Sequence, residues 1–398
     1  MNICIFSYVH ISKLRGGVER VTSTLVTEFK KRGHNVYMVS ALAPIEDDAL
    51  ENNQFVLPSS FITSNAYDTN AIYITNLLEE KKIDIIINQS DFKNIFDLII
   101  ENHKKIPVVS CIHTDPLALL KAIKDNWDEW KMKEGQTFWF KYPYFLLRKI
   151  YQYHTRKKYI SAKHREYYEK SDAIVLLSEK FKDSFIRISG IKEKSKLYAI
   201  SNPNSFKNTL CTEFQKENTV LFVGRLDFQK RVDRLLKVWR EIYTYFPNWK
   251  LKIIGNGKDK IYLENYSKKL KLRNVEFTGA RNPEEDYKRA SIFCMTSTYE
   301  GFGMVLTEAL QYNVIPIAYK SFESIDDIII NEINGFLVKP FSTKLYVKTL
   351  SKLISDKKYR ESVHINIKKD NIVEKFSVER IANQWEELFN KLTSLTTS

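Results

Sequence analysis

Short apolar runs, each released through a polar or glycine-bearing loop into a stretch of helical periodicity, recur along this chain. Asn2 to Val9 leads into a helix ending near Arg32, with Val18, Val21, Leu25, Val26 and Phe29 on its apolar face; Gly33-His34-Asn35 closes it and Val36 to Ala41 follows. The alternation continues with a helix over about Asn70 to Lys82, a strand at Ile83 to Asn88, a helix near Phe92 to His103 and a strand at Pro107 to Ile112. Further strands are read at Asp172 to Ser178, Thr219 to Val223, Trp249 to Ile254, Val275 to Ala280, Ser291 to Met295 and Val314 to Ala318. Alternating strands and helices call for mostly parallel sheets covered by helices. At 398 residues the chain exceeds one ordinary core, so two domains of just under 200 residues are expected. Ligands of an open α/β sheet sit where strands end and helices begin, which directs attention to those loops.

One loop organises the rest: Thr298-Tyr299-Glu300-Gly301-Phe302-Gly303, followed by Met304, Val305, Leu306, Ala309 and Leu310 at helical spacing. Glu300 falls on the loop and Glu308 on the second helical turn. Two carboxylates so placed suit a hydroxyl-rich ligand, since each accepts charge-assisted O–H hydrogen bonds. The alternative is a solvated helix face with an acid near a helix start. After the strand at Thr219, Gly224-Arg225-Leu226-Asp227-Phe228-Gln229-Lys230 sets two cations five apart across a turn. They form either a pyrophosphate clamp or a solvated basic turn. Gly16-Gly17 after the first strand is either a close-approach loop for a ligand or an ordinary tight turn. His113 ends the strand that starts at Pro107, and by position alone is a hydrogen-bonded loop residue.

The composition, 43% hydrophobic and 28% charged, is that of a soluble globular protein. Cys4, Cys111, Cys211 and Cys294 show no metal-ligand spacing and read as core thiols of a reducing cytoplasm. The start runs directly into a strand without a basic leader, and no apolar run reaches the ~18 residues of a membrane span. The net charge of +14 is compatible with nucleic acid, an anionic membrane or an anionic small ligand. In the stretch 127–170, Trp127, Trp130, Phe138, Trp139, Phe140 and Tyr144 interleave with lysines and lead into a basic helix. Three readings stand: an aromatic face packed on its own domain, a membrane-surface element, or a single-stranded nucleic-acid site.

Glu300-Gly-Phe-Gly-x-x-x-x-Glu308-Ala resembles the Glu-x7-Glu signature of the retaining family 4 glycosyltransferases. Val-Gly-Arg225-Leu-x-x-x-Lys230-x-x-x-x-Leu-Leu is similar to that family's phosphate motif, Gly255-Asn256-Gly257 to its turn beside the nucleobase, and Asn334-Gly335-Phe336-Leu337-Val338 to its closing strand. The resemblance covers essentially the whole chain and is strongest over 219–340. It implies the α/β GT-B fold, two Rossmann-like parallel-sheet domains facing an interdomain cleft. The expected division is 1–204 as the acceptor-side domain, 205–218 as linker, 219–376 as the nucleotide-sugar domain, and 377–398 as a helix crossing back to the first domain.

The family's roles, carried over by position, make Glu308 the acceptor of nucleotide ribose hydroxyls and Glu300 of hexose hydroxyls. Arg225 and Lys230 hold the diphosphate, His113 lines the sugar site, and Gly16, Gly17, Gly255, Gly257, Gly301, Phe302 and Gly303 shape the donor pocket. The donor implied is a nucleotide sugar, most commonly UDP-linked, used without metal or other cofactor. Asn204-Ser205-Phe206 departs from the family, whose members commonly continue after Pro203 with a glycine and an acid. The basic aromatic stretch 127–170 suggests an anionic membrane surface and a lipid-linked glycan acceptor, hence a cytoplasmic enzyme on the inner face of the membrane, in bacterial cell-surface polysaccharide synthesis. The rivals are a nucleotide-sugar epimerase of the same fold and, more remotely, a nucleic-acid-binding protein; no nucleic-acid module accompanies the charge.

Overall fold

The computed structural model describes residues 1–11, 17–43, 52–59, 66–103, 105–123, 137, 139–204, 206 and 215–396. They divide into two compact units, one of residues 1–116, 158–205 and 376–398, the other of residues 117–157 and 206–375. Residues 117–157, expected in the first domain, thus group with the second unit.

In the first unit, β1 (Asn2–Ser7), α1 (Gly17–Lys31), β2 (Asn35–Ser40), β3 (Gln54–Val56), α2 (Ala66–Glu80), β4 (Ile85–Asn88), α3 (Lys93–Asn102) and β5 (Val108–Ile112) follow one another. Then come α4 (Tyr142–Lys170), whose first half belongs to the other unit, β6 (Ala173–Leu176), α5 (Glu179–Ser189) and β7 (Leu197–Ala199). The strands form a parallel sheet in the order β3-β2-β1-β4-β5-β6-β7. Its centre is as apolar as a sheet covered on both faces requires: Ile3, Cys4, Ile5 and Phe6 of β1 and Ile85, Ile86 and Ile87 of β4 are all buried.

The second unit holds β8 (Glu217–Val223), α6 (Val232–Ile242), β9 (Lys250–Ile254), α7 (Lys260–Lys269), β10 (Val275–Phe277), α8 (Glu284–Arg289), β11 (Ala290–Met295), α9 (Met304–Gln311), β12 (Ile315–Tyr319) and β13 (Phe336–Val338). Helices α10 (Thr343–Ser355), α11 (Lys357–Lys369) and α12 (Ile372–Lys375) complete it. Strand order is β10-β9-β8-β11-β12-β13, again parallel. Strand β8 begins at Glu217, inside the stretch expected as linker. Helix α6 buries Val232, Leu235, Leu236, Val238, Trp239 and Ile242 along one stripe, and the Trp239 indole N–H donates to the Arg273 carbonyl at 3.1 Å.

The last helix, α13 (Val378–Thr396), belongs to the first unit and packs on α1. Ile381, Trp385, Leu388 and Phe389 are its buried stripe, with Phe389 against Phe29 at a centroid distance of 5.6 Å. At the rim Glu386 accepts from Arg32 at 2.7 Å and lies 2.8 Å from His34.

Candidate active site

Both sheets reverse their winding partway across, the first between β1 and β4, the second between β8 and β11. Loops leaving two such strands diverge and leave a crevice at the carboxyl edge. In the second unit, β8 gives way to Gly224-Arg225-Leu226-Asp227, a single 3-10 turn at Phe228–Lys230, and α6. Arg231 joins turn to helix at a left-handed φ of 50°, a strained geometry for a side-chain-bearing residue. Its guanidinium is held on Asp233 by two hydrogen bonds of 2.9 and 3.2 Å and lies over the Phe228 ring.

The β11 loop is tied to this turn. Thr298 N–H donates to the Gln229 carbonyl at 2.9 Å, the Thr296 hydroxyl to the Lys230 carbonyl at 2.9 Å, and the Gln229 amide to the Tyr299 carbonyl at 2.8 Å. The result is that Lys230 Nζ meets Glu300 Oε1 at 2.5 Å, with both side chains largely buried. Arg225, by contrast, is exposed and pairs with Asp227 Oδ2 at 3.4 Å. The sequence reading sets Arg225 and Lys230 on one clamp; the structure brings Lys230 to Glu300 and Arg225 to Asp227.

The neighbouring turn after β9 lies directly on the β8 loop. A Cβ at Gly255 would sit 1.9 Å from the Gly224 carbonyl oxygen, and one at Gly257 only 2.4 Å from that of Leu226. No side chain fits, so the two glycines permit the hydrogen bonds from Gly224 N–H to Ile254 and from Leu226 N–H to Asn256, at 3.0 and 2.8 Å. On the other side, the Ser324 hydroxyl lies within hydrogen-bonding distance of the Gly301 and Phe302 carbonyls, at 3.0 and 3.3 Å, Phe302 is buried, and Gly303 turns the chain at φ 92° into α9. The first amides of α9 open toward this loop, a favourable place for an anion.

Glu308 lies on the inward face of α9 and is 1% exposed, which removes the solvated-face reading. The Tyr287 hydroxyl donates to its Oε2 at 3.0 Å. Tyr287 is itself fully buried, stacked on Tyr312 and edge-on to Phe206. Lys216 Nζ completes the support by donating to the Tyr287, Lys288 and Tyr312 carbonyls at 3.2, 3.1 and 2.6 Å, where α8 and α9 end. Gln229, Thr296, Tyr287 and Lys216 escape the sequence reading because nothing in their spacing marks them; each is recruited by a fold contact.

In the first unit, Gly17 is the first residue of α1, and Gly16 lies outside the described residues. Across the reversal, Tyr8 after β1 stacks on Phe92 after β4 at 3.7 Å. His113 follows β5, and both its ring nitrogens are shut off from solvent without a hydrogen-bond partner among the described residues. Burial pushes its pKa down to about 4 against the opposing pull of Asp91, so the imidazole is neutral at physiological pH. Asn204 is buried, and its N–H donates to the Phe376 carbonyl at 2.7 Å. Among the described residues no helix is long and apolar enough to cross a membrane, and no cluster of three His, Cys, Asp or Glu is placed to hold a metal ion.

Two such sheets, with these loops at their reversals, form the GT-B architecture. Comparison with known proteins gives the family. "Glycosyltransferase Family 4" matches residues 15–203 and "Glycosyl transferases group 1" matches residues 211–370. The chain belongs to glycosyltransferase family 4. An uncharacterized glycosyltransferase of Haemophilus influenzae is 31% identical over 222 residues, 54% of this chain and 60% of that protein. The chain thus spans less than two thirds of that relative's length. A Campylobacter jejuni protein is 24% identical over 393 residues, 96% of this chain and 97% of its own. It is named GalNAc-alpha-(1->4)-GalNAc-alpha-(1->3)-diNAcBac-PP-undecaprenol alpha-1,4-N-acetyl-D-galactosaminyltransferase. Among solved structures, Anabaena HepE in complex with UDP superposes with a TM-score of 0.74 at 16% identity, covering 98% of this chain and 100% of that one.

Proposed function

We propose that this chain transfers a hexose, whether glucose, galactose or an N-acetylhexosamine, from a UDP-linked donor to a lipid-linked glycan in bacterial surface-polysaccharide synthesis, with retention of configuration. The observation that carries the proposal is the Lys230–Glu300 pair at the β8/β11 reversal, together with the buried, oriented carboxylate of Glu308 on the helix that the β11 loop enters. A lysine for phosphate and two carboxylates for hydroxyls are the groups a sugar nucleotide requires. The Anabaena neighbour's UDP and the Campylobacter relative's undecaprenol-linked substrate support the donor base and the acceptor class.

In this reading the diphosphate takes Lys230 as its counter-ion and a hexose hydroxyl donates to Glu300, so the donor divides a pair that already faces the site. Arg225 swings from Asp227 onto the diphosphate. As the bond between the anomeric carbon and phosphate oxygen breaks, its electron pair goes to the diphosphate, where the two cations stabilise it. The acceptor oxygen bonds to the same face of that carbon, and its proton passes to the departing phosphate oxygen. Charge stabilisation by side chains lets the reaction run without a divalent ion, so turnover is expected to survive a chelator. Trapping of a covalent glycosyl-enzyme would overturn the front-face route. Release of nucleoside diphosphate only when acceptor is present separates transfer from epimerisation.

The first test is thermal unfolding with UDP, GDP, ADP and their hexose conjugates, metal-free, in wild type and Glu308→Ala. A ligand at ~100 times its dissociation constant adds about 2.7 kcal/mol to stability. Stabilisation by UDP that disappears in the variant is expected; no stabilisation by any nucleotide would sink the donor-site reading.

A further inference from the structure

A second cavity lies in the second unit at the amino ends of β8, β9 and β11, away from the loops that build the candidate donor site. It measures about 320 Å³, the scale of a small-molecule site. Residues paired across parallel strands project to one face, so the pairing of Thr219 with Lys250 and of Leu221 with Lys252 sets two lysines beside the threonine; Glu217, two residues before Thr219, joins them. A parallel sheet covered by helices normally carries apolar residues at such positions. Here the cover is α8, a helix of only 6 residues, and the strand ends stay polar. Asp286 of α8 accepts from Lys252 at 3.0 Å and from Arg281 at 2.8 Å, both through Oδ1. Glu217 pairs with Lys250 at 3.1 Å and with Arg289 at 3.5 Å. Two atoms are left over. Thr219 Oγ1 and Asp286 Oδ2 have no hydrogen-bond partner among the described residues, and the residues that bear them are 4% and 7% exposed and line the cavity. Leaving a buried acceptor and a buried hydroxyl unsatisfied costs stability, which a ligand at this place would recover.

We propose that this cavity binds a neutral, hydroxyl-rich ligand, a segment of glycan, apart from the donor site; naming a sugar as the source of the hydroxyls rests on the transferase reading. The chemistry of the wall excludes the other classes. An anion would bring a second negative charge to Asp286 Oδ2, and the cations that could hold it are already paired with acids. A metal ion would stand among Lys250, Lys252 and Arg289, and among the described residues no three acids converge to ligate it. An apolar ligand finds no aromatic ring among the described lining residues. A sugar hydroxyl both donates and accepts, so one can donate to Asp286 Oδ2 while its neighbours exchange hydrogen bonds with Thr219 and accept from the lysine ammonium groups. An adjoining cavity of about 640 Å³ shares Glu217 and Arg289 with the first and extends the site for a chain of sugars.

The test is titration of the full chain with neutral oligosaccharides of glucose, galactose and N-acetylhexosamine, read by ligand-observed NMR for affinity and by hydrogen exchange for location. Saturable binding is expected, with protection of residues 217–223, 250–254 and 284–290 and no competition from inorganic phosphate. Thr219→Val replaces the unpartnered hydroxyl by a methyl group of the same shape, so it is expected to raise the melting temperature by ~2 °C while weakening saccharide binding by about tenfold. Arg289→Gln, on the exposed rim, is expected to weaken that binding by about threefold with melting unchanged. Both variants should keep the stabilisation by UDP. No saturable binding, protection confined to residues 224–231 and 298–308, phosphate held here more tightly than any saccharide, or either variant binding saccharide like wild type overturns the proposal. So does a lower melting temperature in Thr219→Val, which would show the hydroxyl to be satisfied in the free protein. Stabilisation by UDP alongside any of these failures counts against the second site alone, whereas saccharide bound at this cavity with no stabilisation by any nucleotide counts against the transferase reading alone.

Discussion

The two sheet reversals are built alike and finished differently. After β8 and β11 the loops are joined by three hydrogen bonds of 2.8–2.9 Å, and the cation and carboxylate they carry are already paired. After β1 and β4 the loops meet through the stacked rings of Tyr8 and Phe92, and His113, after the neighbouring strand β5, has two nitrogens without a hydrogen-bond partner among the described residues. Buried polar groups are normally satisfied, and an exception asks for an explanation. The difference separates loops whose charged groups are already paired from loops that leave a buried imidazole unpartnered among the described residues. In the proposed reaction the first suits a donor of fixed chemistry, and the second suits the variable acceptor side.

The largest expected effect comes from breaking the paired side. Lys230→Ala removes the counter-ion proposed for the diphosphate and leaves Glu300 without its cation, and turnover measured as nucleoside diphosphate release should fall by about 10²–10³. A loss of less than tenfold would mean the pair is structural only.

Next in size is a matched glycine substitution in each unit. Gly257→Ala drives a Cβ into the Leu226 backbone and should destabilise by roughly 3 kcal/mol with loss of nucleotide stabilisation. Gly33→Ala, with nothing within 4 Å but a φ of 87°, should cost only about 1–2 kcal/mol. Equal shifts in denaturant midpoint would erase the claim that the second unit's loops are the more tightly interlocked.

Tyr287→Phe keeps the ring stack and deletes one hydrogen bond to a carboxylate. Binding of UDP should weaken by about tenfold, whereas 2',3'-dideoxy-UDP, which lacks the hydroxyls assigned to Glu308, should bind wild type and variant equally. Equal weakening of both ligands would show that Tyr287 shapes the pocket without orienting Glu308.

The last test is a pH dependence, in which the first unit's share is separated by a substitution at His113. His113, His164 and His364 each have a pKa lowered to about 4, with burial the leading cause. Each takes up a proton near pH 6.5 when unfolded but not when folded. Stability should therefore be flat with respect to these groups above that pH and fall between about 6.5 and 4, by at most about 1.4 kcal/mol per pH unit for each. His113→Gln should reduce that slope by one proton's share, and an unchanged slope in urea titrations would show that this imidazole is not held neutral.

Much of the second unit was legible because its loops announce themselves in residue type: glycines between a strand and a helix, acids eight apart, cations five apart. What could not be read is who pairs with whom. Arg225 and Lys230 look equivalent in sequence, yet only Lys230 is carried to Glu300, because the Gln229 and Thr296 hydrogen bonds rotate the turn that way. Strand β3, Gln54–Val56, is short and half-buried, so it lacks the apolar run that marks the central strands. The stretch 127–170 left three readings open because aromatic spacing cannot say which face is covered. Burial assigns its second half to the core, while Trp127, Trp130 and Phe138 fall outside the described residues, as do Gly16 and Cys211.

The placement of α13 on α1 carries a consequence for synthesis. A chain emerging from the ribosome presents the first sheet early, but the stripe of Phe29 and its neighbours stays uncovered until Trp385, Leu388 and Phe389 have left the exit tunnel. The second unit, residues 117–157 and 206–375, is complete before that. The half of the molecule translated first is thus the half that closes last, and a ribosome stalled within α13 would hold an exposed apolar seam for chaperones to guard.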